Sequence, residues 1–176
     1  MRPFPNHAPL SRAGLARIQE LLGAQLPDAY VEFLAVTNGG FVRADDPDRQ
    51  LRFAYDRNVE VSGNLCKRLT GSLSFLFGIG DLGHDGAEDT VTYDAAGVYR
   101  NLTAYDEVGF KRDAFPIGET SSSDIVAIDL NPPAYGRIIL YAHDEYPIPA
   151  CGYHIVCASF ADFLNIQEEH LDDDGG

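Results

Sequence analysis

Residues 26–40, LPDAYVEFLAVTNGG, constrain this chain more tightly than any other stretch. Pro27 suits the first turn of a helix, where its missing N–H is not needed and its φ is already near the helical value. Asp28 puts a negative charge close to the positive end of the helix dipole. Tyr30, Phe33, Leu34 and Thr37 recur at helical spacing and make one apolar face. Asn38, Gly39 and Gly40 accept the left-handed geometry that stops a helix. The pattern predicts a helix over residues 27–37. A helix this short is not stable alone, so its two aromatic rings must pack on something larger. Nothing in the stretch is catalytic.

The flanking sequence supplies what it packs on. The first ten residues carry three prolines and read as an extended arm. Ser11 can cap a helix over Arg12–Leu22, with Leu15, Ile18, Leu21 and Leu22 as its apolar stripe and Gly23 at its end. Beyond residue 40, a charged loop over residues 45–49 precedes a short strand over residues 51–55. Residues 56–70 read as a loop or an irregular helix. Residues 73–77 are bulky, apolar and bounded by glycines, which favours a central strand. Another strand is expected over residues 89–94, and a helix over residues 97–108 from the spacing of Val98, Leu102, Tyr105 and Val108. A meander follows, with strands over residues 115–118, 124–130, 137–141 and 154–157 and a hairpin-like turn over residues 131–136. Ser159 caps a closing helix in capping-box fashion with Asp162, and that helix frays after His170. This order predicts an α+β fold: a mostly antiparallel sheet of about five to six short strands with helices packed around it.

At 176 residues, 45% of them hydrophobic, the chain is long enough for one domain with a substantial core. We expect a single domain over residues 1–176, with a flexible arm over residues 1–10 and an acidic tail over residues 171–176. Thirteen basic residues against 27 acidic ones leave a net charge of −14. Such a balance disfavours direct contact with nucleic acid or an anionic membrane. It suits a basic protein partner, or simply keeps the chain soluble. Three cysteines, Cys66, Cys151 and Cys157, form no metal-ligand pattern, and the first residues lack the apolar run of a signal peptide. A reduced, cytoplasmic setting is the expectation.

Candidate chemistry is sparse. Asp81, Asp85, Glu88 and Asp89 surround His84 in one loop; hard cations want such carboxylates, but the spacing fits neither an EF-hand nor a zinc site. A solvated turn shaped by Gly83 and Gly86 is the preferred account. His143 beside Asp144 and Glu145 invites an acid/base reading, yet neighbouring residues point different ways on a strand or turn. Ser121, Ser122 and Ser123 lack the strand–turn–helix setting of a nucleophile elbow. Cys157 reads as a small buried hydrophobe. No phosphate-binding glycine loop is present, and no cofactor or metal is expected. A binding protein is therefore expected, not an enzyme.

Taken together, several stretches resemble the SUKH superfamily. Leu26, Pro27, Tyr30, Phe33, Leu34, Asn38, Gly39 and Gly40 match its signature of Leu-Pro, Tyr, Phe-Leu and Asn-Gly-Gly. FLFGIGD from residue 75, FPIGETSSSDIVAIDL from residue 115, residues 136–144 and ASFADFL from residue 158 are similar to later family stretches, in the same order. One departure is the family's acidic-Gly-Asp turn, which here ends Ser122-Ser123-Asp124 without the glycine. Residues 45–70 match nothing in the family pattern. The resemblance implies an α+β fold and a non-catalytic role. Many bacterial members are immunity proteins that bind a toxin made by the same cell, often a nuclease. Others are regulatory modules of the cell-wall-assembly type with non-toxin partners. The signature residues are then structural. Candidates for the partner-binding face are the acids Asp45, Asp46, Asp48, Asp81, Asp85, Glu88, Asp89, Asp144 and Glu145, facing a basic toxin or other basic protein.

Overall fold

A computed structural model describes residues 2–4, 8–43, 49–56, 68–79, 94–104, 110–142, 153–165 and 168–170. Its first helix, α1 (Arg12–Leu22), is bounded by local hydrogen bonds at both ends. The Ser11 hydroxyl accepts from the Gly14 N–H at 3.1 Å, and Gly23 turns left-handed at φ 63° while its N–H donates to Glu20 O. Helix α2 (Asp28–Val36) follows. Pro27 stands just outside it as the N-cap, one position earlier than expected, and the Thr37 N–H donates to Phe33 O at the other end. The face carrying Tyr30, Phe33 and Leu34 is buried, as the spacing predicted.

Nine strands are described: β1 (Arg2–Phe4), β2 (Gly40–Arg43), β3 (Arg49–Asp56), β4 (Arg68–Leu76), β5 (Ala114–Thr120), β6 (Ile125–Asp129), β7 (Ile138–Tyr141), β8 (Tyr153–Cys157) and β9 (Glu168–His170). Helix α3 (Ala95–Thr103) lies between β4 and β5, and α4 (Phe160–Leu164) follows β8. Strands β3 to β8 form an antiparallel meander in sequence order, which closes on itself through the pair Asp56↔Ile155. The fold is thus a nearly barrel-shaped six-stranded ring with four helices and three short added strands. Strand β4 is shared on one flank: its first half pairs with β3, and Phe75 and Leu76 pair with β2. Strand β1 continues outward from β2, and β9 pairs with the start of β3.

Strands β5, β6 and β7 are buried almost throughout, on both faces. Continuous apolar runs rather than alternation are what such doubly covered strands require. Aromatic rings join the helices to the ring. Tyr30 packs on Phe160 with centroids 4.9 Å apart, on Phe33 at 6.1 Å and on Phe115 of β5 at 6.3 Å. Tyr99 of α3 lies against the same Phe115, and Phe163 of α4 meets Phe53 of β3 at 5.7 Å. Helices α2, α3 and α4 therefore converge on one face of the ring.

Several boundaries differ from the sequence reading. The closing helix ends at Leu164, and residues 168–170 are strand rather than frayed helix, because Arg49, Gln50 and Leu51 offer them a pairing edge. Residues 2–4 of the expected arm are strand β1. Helix α3 starts at Ala95, two residues before the expected start, since Asp94 already acts as its cap: its carboxylate accepts from the Ala96 N–H at 3.4 Å. Residues 68–70, read as loop or irregular helix, belong to β4. Of the strand expected over residues 89–94, only Asp94 is described, in an isolated parallel bridge with Gly78.

Candidate partner-binding surface

The end of α2 is where the chain is most tightly tied. Asn38 takes φ 49°, a left-handed conformation, and buries its side chain. Its Nδ2 donates to Ala8 O at 2.5 Å and to Ile79 O at 3.0 Å, while its Oδ1 accepts from the Ile79 N–H at 2.8 Å. One amide thus pairs both backbone groups of Ile79 as a strand neighbour would, and it holds the segment before α1 as well. Gly39, at φ 82°, lies flat on residue 78: a Cβ there would stand 2.3 Å from Gly78 N. Gly78 O in turn accepts from the Ala95 N–H at 2.7 Å. Three backbone layers, from α2, the exit of β4 and the start of α3, are stacked at this point. The signature's Asn-Gly-Gly is a structural clamp, and Leu26, Tyr30, Phe33 and Leu34 are core.

Beside the clamp, Ile79 is gripped by Asn38 and Asp94 is bridged to Gly78. Asp81, Asp85, Glu88 and Asp89 fall between these two adjoining points, outside the described residues, as does His84. Asp45, Asp46, Asp48, His143, Asp144 and Glu145 also lie outside the described residues, as do Cys66 and Cys151.

The remaining chemical candidates are in view. The turn after β5 folds around Thr120, whose Oγ1 accepts from the Ser122 N–H at 3.2 Å and the Asp124 N–H at 3.1 Å. Ser123 sits at φ 65°, the conformation a glycine would adopt freely. Its neighbours' N–H groups are already paired, which leaves a structural turn rather than a nucleophile site. Cys157 is half-buried, not fully buried as expected; burial pushes its thiol up to about 11, and Sγ donates to Ser159 O at 3.3 Å. A thiol so protonated is a poor nucleophile. On the sheet face turned away from Phe115, Lys111 Nζ lies 3.6 Å from Asp129 Oδ2 and 5.3 Å from the ring centre of Tyr153. The Lys111 N–H donates to the Tyr153 hydroxyl, and Phe110 and Tyr141 pack around that ring. Among the described residues, no three His, Cys, Asp or Glu side chains are grouped to hold a metal. No described helix is long and apolar enough to cross a membrane.

The hairpin-like turn expected over residues 131–136 is the β6–β7 turn, but the tie made by Tyr135 at its tip had no signal in the sequence. Tyr135 is 44% exposed there, yet its hydroxyl donates to Gln25 O at 3.0 Å, across to the α1–α2 connection.

The match to known families follows this geometry closely. The model of the SMI1/KNR4 family (SUKH-1) covers residues 9–166. The chain belongs to the SMI1/KNR4 family. The matched span opens beside Ala8, which Asn38 holds, and closes just past α4, so it takes in the ring, the clamp and all four helices of this SUKH-1 fold. No curated protein matches the chain.

Proposed function

We propose that this SUKH-1 chain is a non-catalytic immunity protein that neutralises a basic toxin, of nuclease type, by binding to it. The observation that carries the reading is family membership, which supports a binding role without chemistry. The net charge of −14 adds to it, because a chain so acidic draws in a basic surface at long range and speeds association. The nine candidate acids, from Asp45 to Glu145, are the part of that charge we assign to the partner's face.

Co-expression with the toxin encoded beside this chain tests the reading. Restored growth and a co-purifying complex are expected. Absence of both would overturn it and leave a regulatory module with a non-toxin partner as the better account.

A further inference from the structure

We infer that the β6–β7 turn, residues 131–136, is a docking point for an arginine-bearing segment of the basic partner. The inference rests on the proposed function and names the surface through which it acts. Pro132, Pro133 and Tyr135 are exposed together at this tip. They are nevertheless held rigidly. The Ala134 N–H donates to Asn131 O, the Arg137 N–H to Ala134 O, the Gly136 N–H to Asp129 O and the Leu130 N–H to Asp113 O, all between 2.7 and 3.0 Å. The Asn131 N–H is taken by the Asp129 carboxylate at 3.0 Å. With its hydroxyl proton given to Gln25 O, Tyr135 is held with its ring at the exposed tip.

The adjoining charge says what that visitor is. The turn packs against the start of α2: the Tyr135 hydroxyl bonds Gln25 O, and a Cβ on Gly136 would stand 3.7 Å from Pro27 Cγ, so Asp28, the next residue, adjoins the tip. Burial, then the Asp28 carboxylate, raise the pKa of that hydroxyl, in keeping with this placement. Asp28 is itself exposed, in the first turn of α2. A flat apolar face of two prolines and an aromatic ring beside a carboxylate suits a guanidinium group: the plane stacks, the stem packs on proline and the charge is answered. Because the turn is already ordered, binding there costs little conformational entropy.

Calorimetry of the whole chain against the purified product of the adjacent toxin gene tests the surface. Tyr135→Ala should bind about thirtyfold more weakly, the loss expected when a hot-spot aromatic is truncated. Tyr135→Phe, which keeps the ring face, should stay close to the native affinity. Asp28→Asn should bind more weakly and with a flatter salt dependence. Ile155→Ala, at an exposed site on β8, should change nothing. Native-like binding by Tyr135→Ala and Asp28→Asn, both shown folded by their melting curves, would overturn the surface and leave the immunity reading standing. No binding by the native chain would overturn both.

Discussion

Asn38 and Ser123 share a backbone conformation, at φ 49° and 65°, but should respond to glycine in opposite directions. Glycine removes the left-handed penalty, about 1–2 kcal/mol for an ordinary side chain. It also adds freedom to the unfolded chain, which takes back roughly 0.4–1 kcal/mol. For Ser123, an exposed side chain without a bond of its own among those described, the balance is a gain of about 0.5 kcal/mol. For Asn38 the same substitution deletes three hydrogen bonds, to Ala8 O, Ile79 O and the Ile79 N–H. Each is worth roughly 1 kcal/mol net, and leaving a buried backbone group unpaired costs about 1–3 kcal/mol. Asn is already among the residues most tolerant of this conformation, so relief adds little. Asn38→Gly should therefore lose about 3–4 kcal/mol, a large part of a typical domain's 5–15 kcal/mol.

Urea unfolding of the three chains, followed by far-UV circular dichroism, gives both numbers from the midpoints if the slopes agree. Asn38→Ala should be worse than Asn38→Gly by about 0.5 kcal/mol, since alanine loses the same bonds and bears the backbone cost, less the freedom that glycine adds to the unfolded chain. An Asn38→Gly chain within about 1 kcal/mol of native would refute the clamp, for then the amide bonds contribute nothing that water does not replace.

Gly39→Ala should be the harshest single change in the chain: its Cβ would sit 2.3 Å from Gly78 N at a positive φ, and the soluble, folded fraction on expression should fall close to zero. Tyr30→Phe should be neutral or stabilising by up to about 1 kcal/mol in thermal melts near pH 7, since it removes a buried hydroxyl that has no hydrogen-bond partner among the described residues. Burial, then Asp94, hold that hydroxyl's pKa far above the ordinary 10.0 in the fold, so its contribution is complete below pH 10.0 and is lost as the pH rises beyond it. The native chain should accordingly lose stability above pH 10.0 more steeply than Tyr30→Phe. In a Cys66→Ser, Cys151→Ser chain, the shift of Cys157 from 9.0 to about 11 leaves about a hundredfold less thiolate at pH 8, and a colorimetric thiol reagent should react far more slowly than after unfolding in urea. Equal rates would show Cys157 to be open.

What could be read from the sequence, and what could not, divides by the range of the interactions. Ser11, Gly23, and Ser159 with Asp162 were legible because their partners stand three residues away; the Ser159 hydroxyl accepts from the Asp162 N–H at 3.1 Å as its pattern required. Strands β1 and β9 were not legible. Each is three residues long, and each is strand only because Arg43 or Arg49, far off in sequence, presents an edge to it. Asn38 shows both halves of the problem. Its backbone role as a helix stop was plain, but its side-chain role depends on Ala8 and Ile79, 30 and 41 residues away. Before Asp124 the sequence lacks the glycine of the family's turn and has Ser123. The structure keeps the glycine conformation and places serine in it.

The closed meander has a consequence for where a partner can act. In β5, β6 and β7 the side chains on both faces are buried, which removes the broad sheet face that an open α+β fold could offer. At the two margins of the sheet lie β1 and β9, one containing Pro3 and the other Glu168 and Glu169. Proline and charge on such strands oppose pairing with another chain's edge. A partner of the proposed kind is thereby left the turns, on one of which Tyr135 stands out near Asp28. A closed scaffold of this kind can exchange its turns without disturbing its core, so one family fold can serve different surfaces.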